Sequence, residues 1–272
     1  MTSTDVTTWV TFGYLLATVV YLIAYVTAGS QSHFLKWSFR LVLALWLAHG
    51  GAIGYRWIES YQMGVGHAPL SNLYESLVFF AWTVVLGLLI VRYRFGADLV
   101  VVMGLPVAFI IMASTFLVDS SIRPLIPALQ SNWLVAHVVT CFLGYAGFTA
   151  SFVAALMLLV VRKWPSAAEH LPGAKVLDEI VYRSVVVGFS LLSVGIITGA
   201  AWADHAWGSY WSWDPKETWS LITWMVYAAF LHARLARGWS GTRMAFLSIL
   251  GFGCVLFTYF GVNYLPGLHS YF

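Results

Sequence analysis

Between Trp207 and Trp219 the chain reads Trp-Gly-Ser-Tyr-Trp-Ser-Trp-Asp-Pro-Lys-Glu-Thr-Trp, four indoles in thirteen residues around one Asp-Pro-Lys-Glu core. An indole offers a large rigid π-face and a single N–H donor, so such a cluster either anchors a loop at a membrane interface or stacks a planar ligand. Histidine is the second chemically useful residue type, with eight copies in a chain that is only 9% charged. Imidazoles supply axial nitrogens to iron and aromatic faces stack a macrocycle, so histidines flanking this segment would suit a haem. The competing use of each histidine is a hydrogen bond between helices, and of the tryptophans an interfacial belt. A belt, however, does not need three charges at fixed places, as in Asp214-Pro-Lys-Glu217. Zinc usually wants three or four clustered His, Cys or carboxylate ligands, and no carboxylate-histidine cluster here has that spacing.

What must position these residues is a set of membrane helices. A chain that is 60% hydrophobic, with a mean hydropathy of +0.81, lies far from soluble domains, where about a quarter of residues are charged. A hydrocarbon core of about 30 Å takes about 20 apolar residues per helix. Eight such windows lie near 8–28, 38–58, 72–91, 98–118, 132–161, 181–203, 219–236 and 243–263. The expected fold is therefore all-α, a polytopic bundle of about eight transmembrane helices forming one domain over 1–272 without a soluble module. Met1 to Thr8 carries only Asp5 and no cleavage site follows Ala24, so the first helix is expected to be retained. Lys175 to Arg183 is amphipathic and reads as a surface helix.

The basic residues sort by side. Lys36, Arg40, Arg92, Arg94, Arg162, Lys163, Lys175, Arg183, Arg234, Arg237 and Arg243 fall near the loops after helices one, three, five and seven, whereas Arg56, Arg123 and Lys216 fall opposite. This asymmetry puts both termini outside and makes the tryptophan loop, 207–219, extracytoplasmic. His137, near the start of the fifth helix, and His269, after the eighth, share that side. His49 and His232 lie within helices two and seven, and an ionisable group at membrane depth is costly enough to be a functional candidate. His33 and His170 read as solvated loop residues, His67 and His205 as hydrogen-bonding ones. Asp214 is placed to cap helix seven with Pro215 in its first turn. Lys216, Arg123 and Arg56 are the outer cations available to ligand carboxylates. Cys141 and Cys254 lack a Cys-x-x-Cys spacing and read as small core residues. The basic residues form no patch for nucleic acid, and no nucleotide or His-Glu-x-x-His motif is present.

The tryptophan segment, Gly66 to Ser76 (Gly-His-Ala-Pro-Leu-Ser-Asn-Leu-Tyr-Glu-Ser), the His137 segment, Tyr227 to His232 and the closing Gly267-Leu-His-Ser-Tyr271 together resemble the CcsA/ResC family of system II cytochrome c biogenesis, with its tryptophan-rich WWD motif. The resemblance runs from about residue 50 to the end. It implies the haem-binding subunit of a cytochrome c synthase, carrying haem b as cargo across the membrane to the Cys-x-x-Cys-His segment of apocytochrome c. It further implies a CcsB/ResB-type membrane partner, with thiol-reducing proteins alongside and lipid around the helices. His137 and His269 would be the external axial ligands beneath a loop containing Trp207, Trp211, Trp213, Asp214 and Trp219. His232 would belong to an inner site completed by the partner. The implied location is a bacterial cytoplasmic membrane or a thylakoid. Two alternatives stand beside this reading. One is a CcmC-like exporter handing haem to a periplasmic chaperone, against which count the eight helices, Pro69 to Glu75 and the His-Ser-Tyr ending. The other is a non-haem small-molecule transporter using the histidines as relays. No residue reads as an obligatory general base, so a catalytic side chain is not assigned.

The topology is tested by fusing alkaline phosphatase, which is active only outside, after Tyr210 or after Lys163. Activity is expected from the first fusion alone, and the reverse pattern would invert the topology.

Overall fold

A segment in hydrocarbon must satisfy its own backbone polar groups, and the helix does so locally. The computed structural model describes residues 2–28, 32–164, 166 and 171–268. Among these lie eight α-helices and no strand: α1 Ser3–Ala28, α2 His33–Gln62, α3 Leu73–Phe95, α4 Asp98–Ser114, α5 Asn132–Lys163, α6 Ala174–Trp207, α7 Pro215–Arg237 and α8 Thr242–Tyr259. Seven are long and apolar enough to cross a membrane. The other, α7, has 23 residues but carries Lys216, Glu217, Arg234 and Arg237 at its two ends. The protein is thus an all-α polytopic membrane protein.

One expectation changes. Lys175 to Arg183 is not a separate surface helix but the opening of α6, which runs unbroken for 34 residues. Pro172 and Gly173 stand before it, and no proline follows to remove a ladder N–H inside it. At 1.5 Å per residue, α5 and α6 each extend about 50 Å, longer than the hydrocarbon core.

The chain divides into two compact units, Met1–Ile126 and Pro127–Phe272. In the first, α1 packs on α2 and α4, and α3 packs on α4. The Tyr14 hydroxyl meets His49 Nδ1 at 3.0 Å between α1 and α2, with His49 fully buried. His49 is therefore a core residue joining two helices. Asn72 caps α3 by accepting the Glu75 N–H at 2.9 Å. The Glu75 carboxylate accepts Arg56 Nε at 2.9 Å and the Ser71 N–H and hydroxyl at 2.8 Å. Arg56 also donates to the Ser120 carbonyl at 2.9 Å. A buried ion pair is tolerable only when its remaining polar atoms are bonded; Ser71 supplies those bonds on the Glu75 side and the Ser120 carbonyl on the Arg56 side. His67 lies nearby, with Nδ1 2.9 Å from the Ala68 carbonyl and Nε2 3.0 Å from that of Arg123.

In the second unit α5 packs on α6 and α8, and α7 packs mainly on α8. The α5–α6 contact is backbone on backbone: a Cβ at Gly144 would lie 3.0 Å from the Gly188 carbonyl, and one at Gly147 would lie 2.9 Å from that of Ser184. Ser151 bonds Ser248 at 2.7 Å between α5 and α8. At the far end from the tryptophan segment, Asp178 accepts Arg234 at 2.7 Å and the Gly241 N–H at 2.6 Å. One carboxylate thereby fastens α6, α7 and the start of α8.

Gly147→Leu should destabilise the detergent-solubilised protein by about 1–3 kcal/mol or more through overpacking, read as a lowered thermal midpoint. Gly253→Leu, where an added Cβ meets nothing within 4 Å, should leave that midpoint nearly unchanged.

Candidate functional site

The site grows from one stripe of α6. Gly195, Gly199 and Trp202 are spaced i, i+4, i+7, which places them on a single face. Trp202 is buried and donates its Nε1–H to the Ala128 carbonyl at 2.8 Å, fixing the 3₁₀ turn Pro127–Leu129 that precedes α5. The His137 ring, on the second turn of α5, lies nearly parallel to Trp202, with centroids 6.0 Å apart and planes 16° apart. Trp207 meets Trp202 edge-on at 4.8 Å and 61°.

His137 Nδ1 is 2.7 Å from the Gly195 carbonyl. A carbonyl oxygen only accepts, so Nδ1 carries the proton and Nε2 of the neutral ring holds a lone pair. Nε2 has no hydrogen-bond partner among the described residues, and the residue is only partly buried. An imidazole anchored at Nδ1 to a backbone carbonyl is the usual setting of a metal ligand, because the anchor fixes both tautomer and ring orientation. Gly199 makes the room: a Cβ there would lie 2.5 Å from His137 Nδ1. Cys141 Sγ sits 3.7 Å from the same nitrogen. The Lys216 charge acts electrostatically on both His137 and Cys141.

The tryptophan loop is held by its own polar atoms. Gly208, in the left-handed region at φ 74, ends α6 by donating to the Asp204 carbonyl. The Asp204 carboxylate near the Tyr210 phenol holds the phenol's pKa above the ordinary tyrosine value. Glu217 Oε2 accepts the Ser212 N–H at 2.8 Å, the Ser212 hydroxyl at 3.2 Å and the Asp214 N–H at 3.1 Å. As expected, Asp214 caps α7 with Pro215 in the first turn, and Asp214 with Glu217 completes a capping box. Trp213 just before it has φ 60, a left-handed conformation that costs about 1–2 kcal/mol for a residue with a Cβ. The residue is 68% exposed, and its ring stands perpendicular to that of Trp211 with centroids 5.7 Å apart. Trp219 packs on Phe257 at 4.1 Å, and its carbonyl accepts the hydroxyls of Thr223 and Thr258, binding α7 to α8.

The sequence candidates are thus partly assembled. His137 joins Trp207 through Trp202, and Lys216 stands close by. Asp214 is 6% exposed, and its carboxylate accepts the backbone N–H groups of Lys216 at 3.0 Å and Leu268 at 2.6 Å. His269 and His170 lie outside the described residues. His232 is exposed on α7, about 25 Å along the helix axis from Pro215, and does not join the cluster. Arg56 is paired with Glu75. Arg123 is paired with Asp119, whose carboxyl is held below its ordinary range by the Ser121 hydroxyl and amide and by Arg123. His205 is exposed in the last turn of α6. Among the described residues no three His, Cys, Asp or Glu side chains group as a metal site. Sequence reasoning missed Trp202, Gly195 and Gly199, which carry no motif; their i, i+4, i+7 spacing along one helix shows a shared face but not what that face meets. Chemically, the cluster offers one oriented imidazole nitrogen, a shelf of indoles and a nearby cation, which suits binding a flat metal complex.

The sequence matches the family described as cytochrome C assembly protein over residues 70–269. The cytochrome c biogenesis protein CcsA of Guillardia theta is 41% identical over 245 aligned residues, covering 80% of each chain. The protein of the same description from Synechococcus elongatus is 39% identical over 277, covering 83% of this chain and 84% of its own. That of Prochlorococcus marinus subsp. pastoris is 41% identical over 246, covering 79% and 77%.

Gly199→Ala should push the imidazole off the Gly195 carbonyl. In ¹⁵N-histidine spectra of the unliganded protein, His137 should show the Nδ1-protonated tautomer and should lose that signature in the variant. An unchanged signature would mean that Gly199 does not set the ring.

Proposed function

Since this chain belongs to the cytochrome c assembly protein family, among the CcsA proteins of cytochrome c biogenesis, we propose that it takes haem b as cargo within the membrane and presents it outside to apocytochrome c. The observation that carries this reading is the His137 imidazole, held in one tautomer by the Gly195 carbonyl, with Nε2 available beside the face of Trp202. Haem iron accepts an axial nitrogen of this kind, and aromatic surfaces stack on its ring.

In this proposal His137 and His269 hold the iron on its two faces. Trp207, Trp211, Trp213 and Trp219 limit where the ring plane can lie, and Trp213 has the most exposed face for it. Lys216 supplies a cation for a propionate, in the geometry of a charge-assisted hydrogen bond. Haem contributes two vinyl groups, across which the Cys-x-x-Cys thiols add to form thioethers. The chain contributes orientation: fixing one reactant where the other arrives removes much of the entropic barrier to their reaction. The histidine of the incoming Cys-x-x-Cys-His segment then replaces one axial imidazole, so the grip on haem must be reversible. His232, exposed on α7, is the chain's half of an inner site, with the second ligand from a CcsB/ResB-type subunit. Thiol-reducing proteins keep the substrate cysteines reduced. The membrane is a bacterial cytoplasmic or thylakoid membrane, a setting supported by relatives in cyanobacteria.

The test is the absorption spectrum of the protein purified with its partner subunit, together with cytochrome c maturation in cells. His137→Gly and His269→Gly should each convert a six-coordinate, low-spin haem spectrum to a five-coordinate one and abolish maturation. Added imidazole should restore both. Normal spectra and maturation in both variants would overturn the assignment.

A further inference from the structure

The lone pair of an imidazole nitrogen lies in the plane of its ring, so the bond to an axial iron lies there too, and the haem plane stands perpendicular to the imidazole. A side chain that stacks on haem must therefore be close to perpendicular to His137. Trp202 is the opposite: its plane is 16° from that of His137, with centroids 6.0 Å apart, an offset stack on the imidazole itself. It stands within 16° of perpendicular to a haem bound through His137 Nε2 in this orientation and turns no face toward it. Its surroundings show what it holds instead. The Gly195 carbonyl accepts the His137 Nδ1–H at 2.7 Å. Gly199 lets the α6 backbone close on the ring, since a Cβ there would lie 2.5 Å from Nδ1 and 2.8 Å from Cε1. One hydrogen bond fixes the tautomer but leaves the ring free to rock about the line from donor to acceptor, and a parallel indole removes that freedom. The indole is itself anchored. Trp202 is buried, its Nε1–H is on the Ala128 carbonyl at 2.8 Å, and Trp207 packs against it edge-on. Ala128 lies in the turn just before α5, so the indole is tied both to the imidazole and to the entry of the helix that carries it.

We infer that Trp202 is a positioning residue that fixes the direction of the His137 ring plane about the iron–nitrogen axis, and that it does not stack on haem. The inference rests on the haem reading above. The π-orbitals of an axial imidazole mix only with the iron d-orbitals aligned with them, so the direction of the ring plane sets the g values of ferric haem. A ring already held in one direction also leaves less freedom to be lost when haem binds.

Trp202→Phe keeps an aromatic face beside His137 and loses the N–H to Ala128, whereas Trp202→Leu loses both. In ¹⁵N-histidine spectra of the unliganded full-length protein, Trp202→Phe should keep a single Nδ1-protonated His137 signal. Trp202→Leu should broaden that signal through exchange between ring orientations. With the partner subunit and haem present, electron paramagnetic resonance of the ferric protein should give the unaltered largest g value in Trp202→Phe and a shifted, broadened one in Trp202→Leu. Both variants should stay low-spin, because Nε2 still reaches iron, but Trp202→Leu should hold haem about 10- to 100-fold more weakly. Unchanged g values and an unchanged His137 signal in Trp202→Leu would overturn the positioning role. Weakened haem binding in Trp202→Phe with the His137 signal and g values intact would overturn it too, by showing that the indole meets haem directly. If Trp202→Leu does not fold, Trp202→Phe decides: a kept His137 signal supports the role of the ring face, and a broadened one assigns the ring's direction to the Ala128 bond instead. If His137→Gly leaves the haem spectrum unchanged, the haem reading itself fails, while the signals of the unliganded variants still report whether Trp202 holds the ring.

Discussion

The close approach of α5 and α6 is the constraint on which the site depends. In a bilayer, two apolar helices gain little from the hydrophobic effect by meeting, so their association relies on packing and on small residues that let backbones touch. Gly144 and Gly147 on α5 face Gly188 and Ser184 on α6 at such distances that a single added carbon would collide with backbone. The same nearness continues toward the tryptophan segment. There Gly195 presents its carbonyl to His137, and Gly199 leaves space for the ring. With bulkier side chains along this stripe the helices would stand apart, and the imidazole would lose the acceptor that sets its tautomer. Orientation of one functional nitrogen is thus a consequence of helix packing over several turns.

Carboxylates do a different job. A charge in an apolar chain is costly unless it is paired or hydrogen-bonded, and this protein uses each described acid in a buried setting as a fastening point. Glu75 gathers Arg56 and Ser71 in the first unit. Asp98 there receives both Tyr21 and Arg92. In the second unit Asp178 holds Arg234 and the amide that opens α8, while Asp214 and Glu217 hold the opposite end. Helices that could slide along one another in lipid are thereby pinned at their termini, where polar backbone groups are unsatisfied in any case.

Much of the fold was legible in the sequence because hydrophobic windows mark what must sit in hydrocarbon. All eight windows correspond to helices, yet their ends differ: α2 occupies His33–Gln62 where hydropathy marks 38–58. Hydropathy stops at the membrane boundary, whereas a helix continues through polar residues until a cap or a glycine ends it. The same blindness made the start of α6 look like a separate surface helix. His49 was chemically ambiguous, since burial alone does not tell a ligand from a hydrogen bond, and only the Tyr14 hydroxyl across the interface decides it. Trp202, Gly195 and Gly199 carry no motif; their value is in what they face, which is tertiary information.

The tryptophan segment shows a more general division of labour. Four indoles and three charges read most simply as seven ligand contacts. Yet Asp214 and Glu217 point their carboxylates at the protein's own amides, and Trp219 packs on Phe257. The acids therefore specify the shape of the loop, Trp219 fastens it to α8, and the other three indoles supply its aromatic faces. Trp213 follows from this arrangement. Its left-handed backbone is unfavourable by itself, so it persists only because the bonds at Ser212, Asp214 and Thr218 over-determine the turn. Relaxing the turn would drop the indole from its exposed position. The polar residues of the motif thus act through the geometry they impose on the rings, and a substitution among them should be read first as a change of shape.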